Sequence, residues 1–210
     1  MKKSVAREYL ESFLIAVILA LFVRTWVFQA FKIPSGSMEP NLQIGDHLIV
    51  NKMEFAPTAS AIERVLLPHR DVRRGDVIVF KYPEDAERDF IKRVIGLPGD
   101  RVELRNKRVL INGQPLEDPH AYYLEPPSAG RPARPSDVRE EYGPVTVPDR
   151  QFFVMGDNRD NSQDSRYWGF LPVSYVKGRA LFIYFSIEEG ASVASLAGGI
   201  RWSRILDRVR

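Results

Sequence analysis

One long apolar segment near the N-terminus constrains the fold of this chain more than any other feature. Between Phe13 and Phe31, a span of about 19 residues, only Arg24 is charged. A helix of this length, rising about 1.5 Å per residue, nearly crosses a hydrocarbon core of roughly 30 Å. Basic residues precede the segment, so the N-terminus is expected in the cytoplasm. The sequence therefore predicts a cytoplasmic tail over residues 1–11, a transmembrane helix over residues 12–31 and an exported domain over residues 32–210.

A cleavable signal peptide is the alternative interpretation of the apolar segment. Such peptides end in two small residues separated by one position, but Ala30 follows the bulky Phe28 at that spacing. The pattern therefore favours an anchor that stays attached to the exported domain.

Beyond the anchor, short β-rich runs alternate with turn residues, which is typical of a β domain. The two runs on either side of Asn106 predict a hairpin. Residues 113–149 are rich in proline and lack periodicity, so we expect an irregular insertion or lid there. The predicted strands are residues 46–52, 76–82, 90–95, 101–104, 108–111, 152–155 and 180–185.

The composition excludes several classes of function. The chain has no cysteine, which rules out disulfides, thiol catalysis and zinc bound by cysteine. Its net charge of +3 is mild, and no basic cluster with interleaved aromatic residues indicates a nucleic-acid partner.

Two serines lie in a turn just beyond the apolar segment, within Pro34-Ser35-Gly36-Ser37-Met38-Glu39-Pro40. A turn that is bounded by proline and opened by glycine can present a hydroxyl group beside free backbone N–H groups. That arrangement suits a nucleophile with an oxyanion site. A linker has the same composition, so the turn alone leaves both interpretations open.

A serine nucleophile needs a base near neutral pH. His47, His69 and His120 do not lie in any recognisable motif, so the sequence neither identifies nor excludes one of them as the base. Lys92 is the other candidate, provided that burial removes its proton. Strand alternation places Lys92 and Arg93 on opposite faces, so one of the two charges would lie among apolar side chains. An edge strand with solvated charges is the alternative.

The densest polar stretch covers residues 156–166, between two apolar segments. Its spacing does not match an EF-hand calcium loop, so we expect no metal there. It combines three carboxylates with two guanidinium groups and several Asn side chains, which indicates a loop braced by ion pairs.

The last residues of the sequence, 201–210, combine arginines with apolar side chains at helical spacing. This predicts a basic amphipathic helix. Such a helix could lie on anionic lipid, but docking on its own domain is the preferred interpretation.

The chain resembles the bacterial type I signal peptidases, which are membrane-anchored serine proteases with a Ser–Lys dyad. The resemblance rests on four sequence blocks that follow one another in the order typical of the family. The Pro115–Pro148 region lies outside all of them. The blocks are residues 34–40, residues 45–52, residues 74–80 with 90–100, and residues 156–162 with 164–166.

The resemblance implies a mainly β fold, with an antiparallel β-sheet catalytic domain of signal-peptidase type, a small inserted subdomain and one N-terminal transmembrane helix. It implies that Ser37 is the nucleophile and Lys92 the general base. It also implies that Ser35 contributes to the oxyanion hole and that Ser162 orients the lysine amine. The implied ion pairs near the site involve Arg93, Asp157, Asp164 and Arg166. The implied substrate pockets are lined by Phe31, Ile33, Met38, Val79, Phe90 and Ile91.

The function implied by the resemblance is removal of signal peptides from exported preproteins after small-x-small sites, without a cofactor or metal. The implied location is the bacterial inner membrane, with one span, the catalytic domain on the periplasmic side and the secretion translocon nearby. Two alternatives remain open. One is a specialised maturation peptidase with a narrow substrate set, and the other is a non-catalytic, membrane-anchored β module that binds partners.

The chain departs from the family pattern in three respects. Only one span precedes the catalytic block, whereas some Gram-negative relatives have two. Asn41 stands where threonine is common, and Phe90 stands where tyrosine is common. The last two departures concern the detail of the pocket and not the dyad.

Overall fold

In the computed structural model of this chain, the described residues are 5–55, 70–126, 137–190 and 196–210. They form an N-terminal helix followed by a seven-stranded and a four-stranded sheet, and neighbouring strands in both sheets are antiparallel. This confirms the predicted mainly β fold. The helices are α1 (Val5–Phe22), α2 (Ser165–Trp168) and α3 (Leu196–Gly199). The strands are β1 (Phe28–Lys32), β2 (Asp46–Asn51), β3 (Val77–Tyr82), β4 (Asp85–Gly96), β5 (Arg101–Arg105), β6 (Arg108–Ile111), β7 (Gln114–Pro115), β8 (Tyr142–Thr146), β9 (Gln151–Met155), β10 (Leu171–Pro172) and β11 (Val176–Ser186).

The apolar segment is helical for most of its length but not to its predicted end. A π-type turn over Val23–Val27 extends α1. The stretch Arg7–Val27, with 21 residues and a mean hydropathy of 2.0, is long and apolar enough to cross a membrane. The predicted helix end at residue 31 is wrong, because β1 begins at Phe28 and its backbone pairs with β2.

Lys52 joins the end of this helix to the β domain. Its Nζ donates to the carbonyl oxygen of Thr25 at 2.6 Å, and its backbone N–H donates to that of Val27 at 2.9 Å. Carbonyl groups in the last turn of a helix have no partner within the helix, so these bonds satisfy them.

The seven-stranded sheet has the order β1-β2-β11-β3-β4-β9-β10, and the four-stranded sheet has the order β7-β6-β5-β8. All of the strands predicted from sequence are present. Strand β9 pairs with β4 only from Arg93 onwards. Residues 85–92 of β4 therefore have no strand beside them on that edge, among the residues described.

The proline-rich insertion is more regular than predicted. Strands β7 and β8 both fall within residues 113–149 and belong to the four-stranded sheet, so the expectation of an irregular segment is wrong for them. Their backbones pair with β6 and β5, which overrides the weak β pattern of proline-rich sequence. Residues 127–136 of the insertion lie outside the described residues.

Two groups of buried apolar side chains hold the serine-bearing turn and join the two sheets. One group, which includes Ile33, Met38 and Leu48, lies beneath the serine-bearing turn. The other, which includes Val102 and Phe153, packs the four-stranded sheet onto β4 and β9. Burial of this kind contributes roughly 25 cal/mol per Å² of apolar surface, so it fixes the turn on the end of β4.

The C-terminal segment docks on β11, as the preferred interpretation holds, but the predicted helix is wrong. Only Trp202–Arg204 forms a short 3₁₀ turn. The Leu206 and Val209 N–H groups donate to carbonyls of β11 at 2.7 and 2.9 Å. Backbone pairing with the strand therefore replaces the helical hydrogen bonds that the apolar spacing predicted.

Asp46 ties this segment to the domain. Its carboxylate is fully buried and accepts hydrogen bonds from Arg204 at 2.6 Å and from Ser186 at 2.6 Å. Arg201 lies 3.3 Å away. Burial alone would raise the pKa of Asp46, but the bonds from Arg204, Ser186 and the Gln43 N–H hold that pKa below its usual value.

Replacement of Asp46 should destabilise the protein strongly. Asp46→Asn removes the charge that compensates two partly buried arginines, so we expect the free energy of unfolding to fall by about 3 kcal/mol. Chemical denaturation of the full chain in detergent micelles measures this change. Asp149→Asn, at an exposed position, is the matched control and should change it by less than about 0.5 kcal/mol. Equal effects of the two substitutions would contradict the role assigned to Asp46.

Candidate active site

The structure brings Ser37 and Lys92 together, although they are far apart in sequence. Ser37 lies in a short 3₁₀ turn, Gly36–Met38, that follows β1, and Lys92 lies on β4. The Lys92 Nζ and the Ser37 Oγ are 2.7 Å apart, a hydrogen-bonding distance. Both residues are buried, with exposed fractions of 3% and 7%. Nζ also donates to the carbonyl oxygen of Ile91 at 3.0 Å.

The environment of Lys92 favours the neutral amine. Burial lowers the pKa of Lys92 from 10.5 to about 8. The negative charges of Asp164 and Asp157 oppose this effect, while the positive charge of Arg166 adds to it. At pH 8 about half of the amine is therefore free to accept a proton.

Arg93 points to the opposite face of β4, as alternation predicts. Both Arg93 and Lys92 are buried, so the interpretation of β4 as an edge strand with solvated charges is wrong here. Strand β3 pairs with β4 at both residues, and β9 pairs with it at Arg93. Arg93 binds Asp157 through two parallel hydrogen bonds of 2.7 Å each, which neutralises both charges inside the protein.

Asp164 and Arg166 form a second buried bidentate pair at the end of the polar loop, with both hydrogen bonds 2.8 Å long. Burial alone would raise the pKa of Asp164, but the charge and hydrogen bonds of Arg166 and the N–H of Gly156 hold it below its usual value. The loop is therefore braced by carboxylate–guanidinium pairs, as the mixed charges of residues 156–166 indicate.

The polar loop touches the serine-bearing turn directly. The Asn158 N–H donates to the carbonyl oxygen of Ser37 at 3.1 Å, and the Asn158 amide donates to that of Gly36 at 3.3 Å. Gly156 lies between the two segments, and a Cβ there would stand 2.4 Å from the Ser37 carbonyl oxygen. This approach requires glycine.

The two further serines of interest differ in their surroundings. Ser35 is exposed and lines the cleft in front of Ser37. The Ser37 N–H belongs to the first turn of a helix, where such groups have no partner within the helix. The Ser162 Oγ is buried beside Gly156 and makes no hydrogen bond to Lys92, but its hydroxyl helps to lower the pKa of the Asp164 carboxylate.

A cleft of about 540 Å³ opens in front of the dyad. Three of the predicted pocket residues, Phe31, Phe90 and Ile91, line it. The other three predicted residues are buried in the apolar core against which Phe31 packs; they are Ile33, Met38 and Val79. The lining also contains residues that sequence reasoning missed, namely Arg88, Asp89, Asn161 and Gln163.

The described histidines do not contact Ser37. His47 packs edge-on against the rings of Tyr184 and Phe185, and His120 accepts a hydrogen bond through its backbone carbonyl. His69 lies outside the described residues. Within the parts of the chain that the structure describes, no group of three or more His, Asp or Glu side chains could hold a metal ion.

Comparison with known proteins identifies the family. A sequence profile of the family described as signal peptidase, peptidase S26, matches residues 6–185. The chain belongs to this family. It is 42% identical over 180 residues to the probable signal peptidase I-2 of Synechocystis sp., which covers 83% of this chain and 71% of the relative.

Two further relatives support the same assignment. Signal peptidase I of Pseudomonas fluorescens is 35% identical over 215 residues, covering 90% of this chain and 75% of the relative. Signal peptidase I of Bacillus amyloliquefaciens is 33% identical over 192 residues, covering 90% of this chain and 92% of the relative. The chain is therefore a protease of the signal peptidase I type. This confirms the resemblance carried by the four blocks and sets aside the non-catalytic module.

Contacts that the sequence did not predict support the polar loop of this signal peptidase. Arg159 is buried, donates to the carbonyl oxygen of Gly156 at 3.2 Å and forms an ion pair with Asp118. The Tyr122 N–H donates to the carbonyl oxygen of Asp157 at 2.7 Å. Asp118 and Tyr122 belong to the proline-rich insertion, where no motif marked them.

Asn41 is a second brace that sequence reasoning did not assign. Its side-chain amide donates to Oδ2 of Asp157 and to the carbonyl oxygen of His120, both at 2.9 Å. Asn41 thereby joins the serine-bearing turn to the Arg93–Asp157 pair. Asn41 stands where threonine is common in the family. This marked the position as unusual but did not indicate the contact with Asp157.

The close approach at Gly156 makes a testable prediction. In Gly156→Ala, the new methyl group would stand 2.3 Å from the Ser162 Oγ and 2.4 Å from the Ser37 carbonyl oxygen, so the loop and the turn must separate. We expect kcat/KM for cleavage of a preprotein with a signal peptide to fall about 100-fold. Gly198→Ala, where a Cβ meets open space, is the matched control and should leave activity unchanged. Full activity of Gly156→Ala would show that this packing is dispensable.

Proposed function

We propose that this chain is a membrane-anchored serine endopeptidase that removes N-terminal signal peptides from exported preproteins. Ser37 is the nucleophile and Lys92 the general base. The observation that carries the proposal is the 2.7 Å contact between these two buried side chains, in a chain of the signal peptidase family. The depressed pKa of Lys92 supports the same roles.

The proposed reaction begins with a proton transfer. The neutral amine of Lys92 takes the proton of the Ser37 hydroxyl as Oγ attacks the carbonyl carbon of the scissile bond. The tetrahedral intermediate then collapses, and the lysine ammonium returns its proton to the leaving amine of the mature protein. Water attacks the remaining acyl group with Lys92 again as base, which releases the signal peptide and restores Ser37.

The oxyanion of the intermediate needs hydrogen-bond donors beside Ser37. We assign this task to the Ser37 N–H and the Ser35 hydroxyl, because Ser35 lines the cleft on the same turn. Ser162 is proposed to orient the Lys92 amine. Because catalytic hydrogen bonds often tighten only when substrate binds, this role depends on a contact that forms in the complex.

The two buried ion pairs support the dyad. Arg93–Asp157 lies on the face of β4 opposite Lys92, and Arg166–Asp164 closes the polar loop. In each pair the arginine compensates the carboxylate, which limits how far the two carboxylates favour the charged form of Lys92. We therefore assign both pairs a positioning role.

The helix Arg7–Val27 would span about 31 Å, enough to cross the hydrocarbon core. We propose a single-pass protein of the bacterial inner membrane, with its N-terminus in the cytoplasm and its catalytic domain on the periplasmic side, near the secretion translocon. The cleft supports this arrangement, since Phe31 and Pro34 line it just beyond the anchor. A signal peptide held in the same bilayer would emerge beside Ser37.

The walls of the cleft favour small, apolar substrate side chains. Phe31, Phe90 and Ile91 line it, and Ile33, Met38 and Val79 are packed in the core that adjoins Phe31. Tyr82 stacks on Phe90 at 4.3 Å and limits its movement. These contacts support cleavage after small residues at the first and third positions before the cut.

Removal of either member of the dyad should abolish cleavage. For a preprotein with an Ala-x-Ala site, we expect kcat to fall by at least about 10⁴-fold in both Ser37→Ala and Lys92→Met. Lys81→Met removes an exposed lysine from β3 and is the matched control. Persistent cleavage in both dyad variants would refute the assignment, whereas failure of the wild-type protein to cut any preprotein would refute the proposed function.

The pH dependence should follow Lys92. Since burial lowers its pKa to about 8, the base is increasingly protonated as the pH falls below that value. We expect kcat/KM to drop about tenfold per pH unit between pH 7 and pH 5.5 and to level off above about pH 8.5. A profile that stays flat from pH 6 to pH 9 would exclude Lys92 as the base.

A further inference from the structure

We propose that Arg88 determines specificity, by favouring preproteins that carry an acidic side chain about four residues before the cut. This inference rests on the proposed function and adds a class of substrate to it. It is carried by the position of Arg88 in the cleft, by the absence of an ion-pair partner for Arg88 among the described residues and by the free edge of β4.

Arg88 and the proposed base Lys92 both lie beside the ring of Phe90. Strand alternation places Phe90 and Lys92 on one face of β4, and Arg88 precedes them where the pairing of β4 with β3 is irregular. The Arg88 Cζ lies 5.6 Å from the centroid of the Phe90 ring, and the Lys92 Nζ lies 5.3 Å from it. The guanidinium and the amine are therefore at most about 11 Å apart, and the ring holds the guanidinium by a cation–π contact.

The positive charge of Arg88 is not balanced within the cleft. Arg88 is exposed and has no carboxylate within ion-pair distance among the residues that the structure describes. Its neighbour Asp89 also lines the cleft but is paired with Lys177 at 2.7 Å. Glu84, on the turn before β4, accepts a hydrogen bond from the Tyr82 hydroxyl and does not line the cleft.

The free edge of β4 defines the path of a bound peptide. Among the described residues, no strand lies beside residues 85–92 on the side of β9, whereas β9 covers the edge from Arg93 onwards. An extended peptide that reaches Ser37 can therefore pair with this edge only in the direction of Arg88. Since Lys92 and Arg88 are four positions apart, a rise of about 3.3 Å per residue separates them by at most about 13 Å along the strand, the length of about four substrate residues.

The apolar lining identifies which half of the substrate follows this path. The same stretch of cleft carries Phe31, Phe90 and Ile91, and Phe31 belongs to β1, directly after the anchor helix. The apolar signal half of a preprotein matches these walls, while the mature half is polar and leaves towards solvent. Arg88 therefore faces the signal side of the substrate.

An aspartate or glutamate there can form a bidentate pair with the guanidinium. Because Arg88 is exposed, the gain is modest and is screened by salt. The contact is also present before the reaction begins, so it acts on KM and not on kcat.

The experiment uses three preproteins that differ only at the fourth residue before the cut, which is Glu, Gln or Lys. The full chain is assayed in neutral detergent micelles at pH 8.5. We expect the wild-type protein to prefer Glu to Lys about fivefold in kcat/KM, through KM. The preference should vanish in Arg88→Gln, reverse in Arg88→Glu and fade in 0.5 M salt.

Arg101→Gln is the matched control, since Arg101 is exposed on the four-stranded sheet, outside the cleft, and should leave the preference intact. A preference that survives in Arg88→Gln would overturn the proposal. It would also be overturned if Arg88→Glu changed cleavage of all three substrates equally, since that result shows no contact with the fourth residue before the cut. Wild-type cleavage of the Gln substrate shows that the proposed function itself holds.

Discussion

The proposed catalytic activity of this protein depends on one interaction, the contact between the buried amine of Lys92 and the hydroxyl of Ser37. Burial lowers the pKa of the amine from 10.5 to about 8, which corresponds to about 3 kcal/mol against its charged form. The surrounding protein must supply this free energy, because a solvated lysine would keep its proton. The contact is therefore both the chemical centre of the site and a local source of instability.

The neighbouring elements hold this contact in place. The serine comes from a turn that is fixed by a buried apolar group, and the lysine comes from the middle of the sheet. The polar loop packs against the serine-bearing turn at Gly156, whose lack of a side chain allows the two segments to approach each other closely. Two buried arginine–carboxylate pairs and the contacts of Asn41 and Arg159 connect these elements.

Much of the site could be predicted from the sequence, because its residues lie in short segments with their own patterns. Lys92 and Arg93 interrupt an apolar strand, so alternation separates them without any knowledge of the fold. The end of the anchor helix and the form of the C-terminal segment could not be predicted in this way. Both have helical apolar spacing, and both are extended instead because an adjacent strand pairs with their backbone. The Asp118–Arg159 pair joins two distant segments, and neither segment indicates the other.

The most direct test of the account is a titration of Lys92 itself. The full chain, with ¹³C-labelled lysine, is followed in micelles by the chemical shift of the Cε resonances, and Lys92→Met identifies the resonance of interest. The account predicts one lysine resonance with a midpoint near pH 8 that is absent from the variant. If the resonance assigned to Lys92 titrated near 10.5 instead, the amine would be charged at working pH, and the central claim would be wrong.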